Sequence, residues 1–327
     1  MAFRPINDPI ASRSAPTSEQ FAETPTINLE LCNVNMSYKN KVILKDISLT
    51  ACSGETIALL GPNGAGKSTL IEIAAGLRAP SSGKVSLLGE NPLFATEHTR
   101  ANVGLMLQNW KDHGKWEVHE FLAYIARASG QTSKNVDELL SALGLAHRAK
   151  SRMNTLSGGQ RRRVDVAAAL IGNPRILVVD EPTTGFDVEA RKSFQETVLD
   201  LAGDRTVIWA THDLDEAEAV CDRIVMIANG SIIADGTPSD LRALNDSKTT
   251  LRWTGQDGAR HHETHDYPNA RIVEVAKTSG VTNIEVSKQS LEDVYLSIIR
   301  DAEQAATARS ANATAPPATN SSDDRSV

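Results

Sequence analysis

Cysteine is scarce in this sequence, with Cys32, Cys52 and Cys221 the only three in 327 residues and no CxxC spacing among them. That argues against a disulfide framework or a cysteine zinc site and fits a reducing compartment. Long apolar runs are missing as well. The most apolar stretches, residues 56–60 and 176–179, have strand length, whereas a helix that crosses a bilayer needs roughly 20 apolar residues. The amino terminus carries Pro5, Asp8 and Pro9 where a secretory leader needs an apolar run, so a cytoplasmic location is expected. Excess basic charge is absent: 34 Lys and Arg stand against 41 Asp and Glu, a net charge of −7. A general polyanion binder carries a basic face, so nucleic acid is not an expected partner. What is present is an ordinary soluble composition, 40% hydrophobic and 23% charged, long enough for one large domain and a small second one.

The two ends are polar and proline-punctuated, and residues 1–27 and 301–327 are expected to be disordered tails. Between them strand and helix patterns alternate. Residues 27–36 and 42–50 read as strands, the second alternating through Ile43, Lys45 and Ile47. Residues 55–60 form a continuous apolar strand that runs into a glycine-rich turn, with a helix expected over 67–77. Residues 118–172 read as mostly helical, punctuated by Gly130 and Gly144. Strands are expected at 175–180 and 205–210, on either side of a helix over 188–201. A hairpin is expected from 224–228 and 231–234 around Asn229 and Gly230. Near Asn245 the composition shifts, and a smaller segment runs to about Arg300 with strand-like 270–275 and 282–286 before a helix.

Gly61, Pro62, Asn63, Gly64, Ala65, Gly66, Lys67 and Ser68 match GxxxxGK[ST] between an apolar strand and a helix, with Thr69 next. Each residue type has a physical reason. Glycines let backbone N–H groups approach phosphates closely, and the helix N-terminus adds a favourable dipole. Lys67 can reach the β- and γ-phosphates, and the Ser68 hydroxyl can ligate Mg²⁺. A second anion-binding helix start follows at Leu156, Ser157, Gly158, Gly159 and Gln160, where Ser157 is a natural N-cap. About twenty residues later an apolar strand ends in Asp180 and Glu181. Asp180 is placed for a Mg²⁺ contact of the kind phosphoryl-transfer enzymes use.

In this order the motifs resemble the nucleotide-binding subunits of ABC transporters, over roughly residues 28–245. The resemblance implies an α/β P-loop NTPase fold: a RecA-like core, an antiparallel β subdomain and an α-helical signature subdomain, followed by a small α+β segment over 246–300. It implies ATP and Mg²⁺ as cofactors and ATP hydrolysis as the reaction. In that family the LSGGQ signature closes on ATP held by the other subunit's phosphate loop. The chain is therefore expected to work as a homodimer or ABC heterodimer, peripheral on the inner membrane face beside a separate integral membrane permease. Glu181 matches the general base, and His212 matches the switch histidine that contacts the γ-phosphate and that base. Gln108 resembles the Q-loop glutamine that bridges Mg²⁺ and water, joining Ser68 and Asp180 at the metal. Tyr38 stands where the family stacks an aromatic on adenine. Asp187 matches the D-loop aspartate, although Phe186 is bulkier than the leucine more often found before it.

Other clusters are read more plainly. His261, His262 and His265 around Glu263 lack HExxH spacing and read as a solvated polar loop. Arg161, Arg162 and Arg163 read as surface and interface charge. Trp110 and Trp116 follow the Q-loop, where either permease contact or helical core would use them. A single cassette, with about ninety residues between phosphate loop and signature and no sustained heptads, argues against translation and DNA-repair ATPases. Residues 290–296, reading SLEDVYL, resemble the ending of ABC-2-type and drug-resistance exporter ATPases, and Asp165 suits that subfamily. Export is therefore expected, with import the alternative. Leu291, Val294 and Ile298 would form an apolar stripe packing on the ATPase domain or on the second subunit.

Overall fold

Strand pairing at the amino-terminal end begins with two long antiparallel strands, β1 (Ile27–Tyr38) and β2 (Lys41–Cys52). The computed structural model describes residues 26–39, 41–108, 114–243, 249–265 and 268–288, together with Glu292, Tyr295, Leu296 and Arg300. The tails expected at 1–27 and 301–327 lie outside these residues apart from Thr26 and Ile27, the latter opening β1. Trp110, Leu291, Val294 and Ile298 also lie outside them.

The chain continues through β3 (Thr56–Leu60), α1 (Lys67–Ala74), β4 (Ser82–Leu87), α2 (Glu97–Ala101) and β5 (Val103–Met106). Three helices follow, α3 (Val118–Ala128), α4 (Ser133–Ala142) and α5 (Gly158–Leu170). Then β and α elements alternate: β6 (Ile176–Asp180), α6 (Val188–Ala202), β7 (Thr206–Thr211), α7 (Leu214–Val220), β8 (Arg223–Ala228), β9 (Ser231–Gly236) and α8 (Pro238–Ala243). The last described elements are β10 (Thr249–Thr254), β11 (Arg260–His265), α9 (Pro268–Lys277) and β12 (Thr282–Lys288). Among the described residues, no helix is long and apolar enough to cross a membrane.

Three sheets result. The first has the order β2-β1-β4, the second β5-β6-β7-β3-β8-β9 and the third β11-β10-β12. In the second, β5, β6, β7, β3 and β8 run parallel and only β9 is antiparallel. Parallel strands covered on both faces need apolar residues at every position, and all of β6 and β7 is buried. Alternate side chains then feed two cores. Ile176 and Val178 join Leu31, Leu44, Ile57 and Ile71 under the first sheet and α1. Leu177 and Val179 join Phe121, Leu140, Val164 and Phe194 of the helical side. Parallel register also aligns strand ends, since Leu60 pairs with Thr211 and Asp180 with Ala210. Every strand-to-loop exit of β3, β6 and β7 therefore opens on one edge, where α/β sheets bind ligands.

Two expectations are corrected here. Residues 270–275 are not a strand but lie within α9. Val275 is buried and Ile272, three residues earlier, is half-buried, while Val273 between them faces solvent, a helical rather than alternating pattern. The segment 261–265 is not a polar loop but part of β11, registered against β10 from Thr249↔His265 to Thr254↔Arg260. Its polar composition suits a strand at the sheet's edge, and Glu263 receives both Nε and Nη2 of Arg271 from α9, at 2.7 and 2.8 Å. The short strands β4, β5 and β10 were not expected, and the first helix stops at Ala74 rather than residue 77. There Gly76 (φ 74°) passes so close to the Pro92 carbonyl that a Cβ would sit 2.2 Å from its oxygen.

Candidate functional site at the carboxyl edge of the parallel sheet

The loop between β3 and α1 is shaped by what no side chain could fit. A Cβ on Gly61 would lie 2.2 Å from the Ile227 carbonyl oxygen. Gly66, the N-cap of α1, has φ 109°, and a Cβ there would meet Leu44 Cδ2 at 2.7 Å. Pro62, Asn63, Gly64 and Ser68 face solvent, Thr69 is half-buried, and Ala65 packs inward. Lys67 folds back into the loop, its Nζ donating to the carbonyls of Gly61 (2.6 Å) and Pro62 (3.3 Å). Burial pulls its pKa down, opposed by the charges of Glu181 and Asp180.

Asp180 ends β6 and is buried, which pushes its carboxyl pKa up against the opposing Ser68 hydrogen bond and Lys67 charge. Its Oδ1 has no hydrogen-bond partner. Glu181 follows with φ 52°, a left-handed conformation uncommon for a residue with a Cβ. Its N–H donates to the Ala210 carbonyl at 3.0 Å, tying it to β7. One carboxylate oxygen, Oε2, lies 2.7 Å from His212 Nδ1 at the exit of β7. The other, Oε1, lies 3.7 Å from Lys67 Nζ and accepts no hydrogen bond. Buried carboxylate oxygens left without donors are costly. The edge thus holds a cation, two carboxylates and an imidazole, with oxygens open to a further partner.

Gln108 is exposed two residues beyond β5, whose Met106 pairs with Val179, so it lies on the same edge beside Asp180. Tyr38 ends β1 half-exposed, with the Arg78 guanidinium 5.1 Å from its ring centroid. Ser157 caps α5: its Oγ accepts from Gln160 N–H at 3.3 Å while Gln160 Oε1 accepts from Ser157 N–H at 3.1 Å. Ser157 and Gly158 are exposed, and Gly159 and Gln160 half-buried. Asp187 caps α6 through Ala190 N–H at 2.8 Å. Phe186 is accommodated by packing on Phe194, the ring centroids 5.0 Å apart and the planes tilted by 32°, and by lying under Gly159, whose added Cβ would be 3.5 Å away. The three arginines after the signature are half-buried; Arg161 Nε pairs with Asp165 at 3.0 Å, and Arg163 reaches the Leu143 carbonyl at 3.4 Å. Burial raises the Asp165 pKa, with Arg161 opposing. Trp116 packs on the helical core and meets Tyr124 edge-on at 5.5 Å.

Sequence reasoning missed a buried group behind the site. Glu216 accepts hydrogen bonds from Thr183, Thr211 and Gln195. The spacing Asp213-x-x-Glu216 does mark a helix start, and Asp213 caps α7 through the Glu216 N–H at 3.1 Å. Nothing in that spacing shows the Glu216 side chain turning inward.

The family profile described as ABC transporter matches residues 44–184. A Nod factor export ATP-binding protein I from Rhizobium sp. (strain N33) is 36% identical over 220 residues, 66% of this chain and 72% of that protein. The linearmycin resistance ATP-binding protein of Bacillus subtilis (strain 168) is 36% identical over 231 residues, 69% of this chain and 74% of that protein. A dimeric ATP-binding cassette solved in a post-hydrolysis state with ADP and Pi superposes with a TM-score of 0.59 at 26% identity, covering 64% of this chain and 98% of that one.

Proposed function

This chain belongs to the ABC transporter ATP-binding proteins, and we propose that it powers export through a separate integral membrane permease as one of a pair of ATPase chains on the inner membrane face. As a family member it binds and hydrolyses ATP. One geometry supports the assignment of roles: Lys67, Ser68, Asp180, Glu181 and His212 meet through direct contacts at one sheet edge. The loop from Gly61 to Thr69 cradles the phosphates, with Lys67 neutralising them and Tyr38 set against the adenine. Glu181 takes the proton of the attacking water, and His212 holds Glu181 in place and contacts the γ-phosphate. Hydrolysis then needs positioning and charge stabilisation more than covalent work.

The donor set fits Mg²⁺. Asp180 offers a buried carboxylate oxygen without a donor, Ser68 a hydroxyl beside it and Gln108 an amide from the same edge. These three would hold the ion, which when bound screens phosphate charge. Ser157, Gly158, Gly159, Gln160 and Asp187 serve the site across the dimer. Ser157 and Asp187 cap their own helices, and Ser157 and Gly158 face solvent. Residues 28–245 form the ATPase unit, and 246–300 serve regulation or assembly. Export is favoured because the Rhizobium and Bacillus relatives are named for export and resistance.

The direction is tested in inverted membrane vesicles that carry the chain and its permease, with radiolabelled candidate cargo. ATP should drive cargo into the vesicle lumen. ATP-dependent loss from the lumen would mean import and overturn the export reading.

A further inference from the structure

We propose that Glu216 is a positioning residue for hydrolysis, locking Thr183 and Thr211 together so that Glu181 and His212 stay paired. The inference rests on reading Glu181 and His212 as the hydrolytic pair. Glu216, Thr183, Thr211 and Gln195 are all buried. Glu216 Oε1 accepts from the Thr183 hydroxyl at 2.6 Å and from Gln195 Nε2 of α6 at 3.2 Å, while Oε2 accepts from the Thr211 hydroxyl. Thr183 stands two residues after Glu181, and Thr211 immediately before His212. The Thr211 oxygen also accepts from the Asp213 N–H at 3.0 Å, so the backbone on both sides of His212 is held by one hydroxyl. Asp213 in turn pairs with Arg191 of α6.

One carboxylate therefore bridges the two segments that carry the 2.7 Å Glu181–His212 contact. Hydrogen bonds to a charged acceptor are roughly twice as strong as neutral ones, so this bridge is stiff. Stiffness matters here. Glu181 sits at φ 52°, and such a conformation persists only when its surroundings hold it. A shift of about 1 Å in a reacting group costs up to about a hundredfold in rate. Replacing Glu216 by Gln keeps the volume but turns one acceptor into a donor. Thr183, Thr211 and Gln195 all donate to Glu216, so with one oxygen replaced by an NH2 the three could no longer all be accepted as they are now.

The test measures steady-state turnover, KM for ATP and the melting temperature of the full chain. Glu216→Gln and Thr183→Val should each lower kcat by about tenfold while KM stays within about twofold. Thr183→Ser restores the hydroxyl and should return to within about twofold of the parent. Added to His212→Ala, Glu216→Gln should change the residual turnover by less than about twofold, because the pair it positions is already broken. Unchanged kcat in both Thr183→Val and Glu216→Gln overturns the proposal, as does a full multiplicative loss on the His212→Ala background. Should Glu216→Gln not fold, the Val and Ser pair at position 183 decides alone. If Glu181→Gln and His212→Ala themselves turn over normally, the underlying reading of the pair fails. If those two are inactive while Thr183→Val and Glu216→Gln are fully active, only the role of Glu216 fails.

Discussion

The carboxyl edge of the parallel sheet and the carboxyl-terminal sheet β11-β10-β12 handle polar groups in opposite ways. At the first, Lys67, Asp180, Glu181, Thr211 and Glu216 are all buried. At the second, Arg252, Arg260, His261 and His262 are exposed, and its Arg271–Glu263 pair is about one-third exposed on each side. Burying a charge is expensive, whereas a surface ion pair contributes roughly 0 to 1 kcal/mol. Concentrated buried charge with perturbed pKa values marks chemistry more often than architecture. The difference teaches where to look for function: the parallel sheet stores unfavourable electrostatics at one edge, and the last sheet is an ordinary solvated surface.

The largest effect that could break this contrast is at Glu181. Glu181→Gln keeps the shape and leaves the phosphate loop untouched, so ATP binding should survive while turnover falls by about 10² to 10⁴, the usual contribution of a general base. ATP should also trap the paired form. Phosphate release assays beside equilibrium nucleotide binding check both, and near-normal turnover would remove Glu181 from the role.

The converse experiment deletes the solvated region. Truncation from Ser247 onward should leave ATP affinity within about twofold, because the contacts that define the edge all come from residues before Asn245. Tyr295, in the later segment, packs against the core cluster of the ATPase that contains Leu60, Met226 and Leu241. Its loss should appear in the melting temperature and in pairing rather than in nucleotide binding. A tenfold loss of ATP affinity would show that the last segment feeds the site.

Much of the edge was legible in the sequence because its geometry is local. Glycines that tolerate close approach and an apolar strand ending in two carboxylates each report their own surroundings. The parallel register then brings these local signals together without further specification. Less was legible where partners are distant. Glu216 bridges Thr183, 33 residues earlier, and no spacing rule spans that interval. In the last segment, residues 270–275 carry enough β-branched side chains to imitate a strand. Packing of Val275 and the reach of Arg271 to Glu263 settle them as a helix. Polar 261–265 lacked the apolar alternation that marks a strand, so its pairing with β10 was invisible.

The smallest predicted effect sharpens the contrast most directly, because it measures the stored electrostatic cost. Burial raises the Asp180 pKa in the folded chain above its ordinary value of about 3.9. The unfolded chain therefore gives up this proton at lower pH than the folded one. As pH rises through the ordinary carboxylate range, ionisation of Asp180 favours unfolding, and the penalty is complete once pH exceeds the raised folded value. Asp180→Asn removes the penalty while keeping the shape. Without nucleotide at neutral pH, the variant should melt higher than the parent, by about 2 to 4 °C for each kcal/mol relieved. The advantage should shrink as pH falls below the raised folded value and be lost below about 4, where the parent's carboxyl becomes protonated in both states. With Mg²⁺ and ATP present the order should reverse, since the parent alone gains the full ligand stabilisation. Differential scanning calorimetry across pH, with and without nucleotide, reads all three. A variant that melts lower than the parent at neutral pH without nucleotide would mean that Lys67 and Ser68 already compensate Asp180, and that the edge stores no such cost.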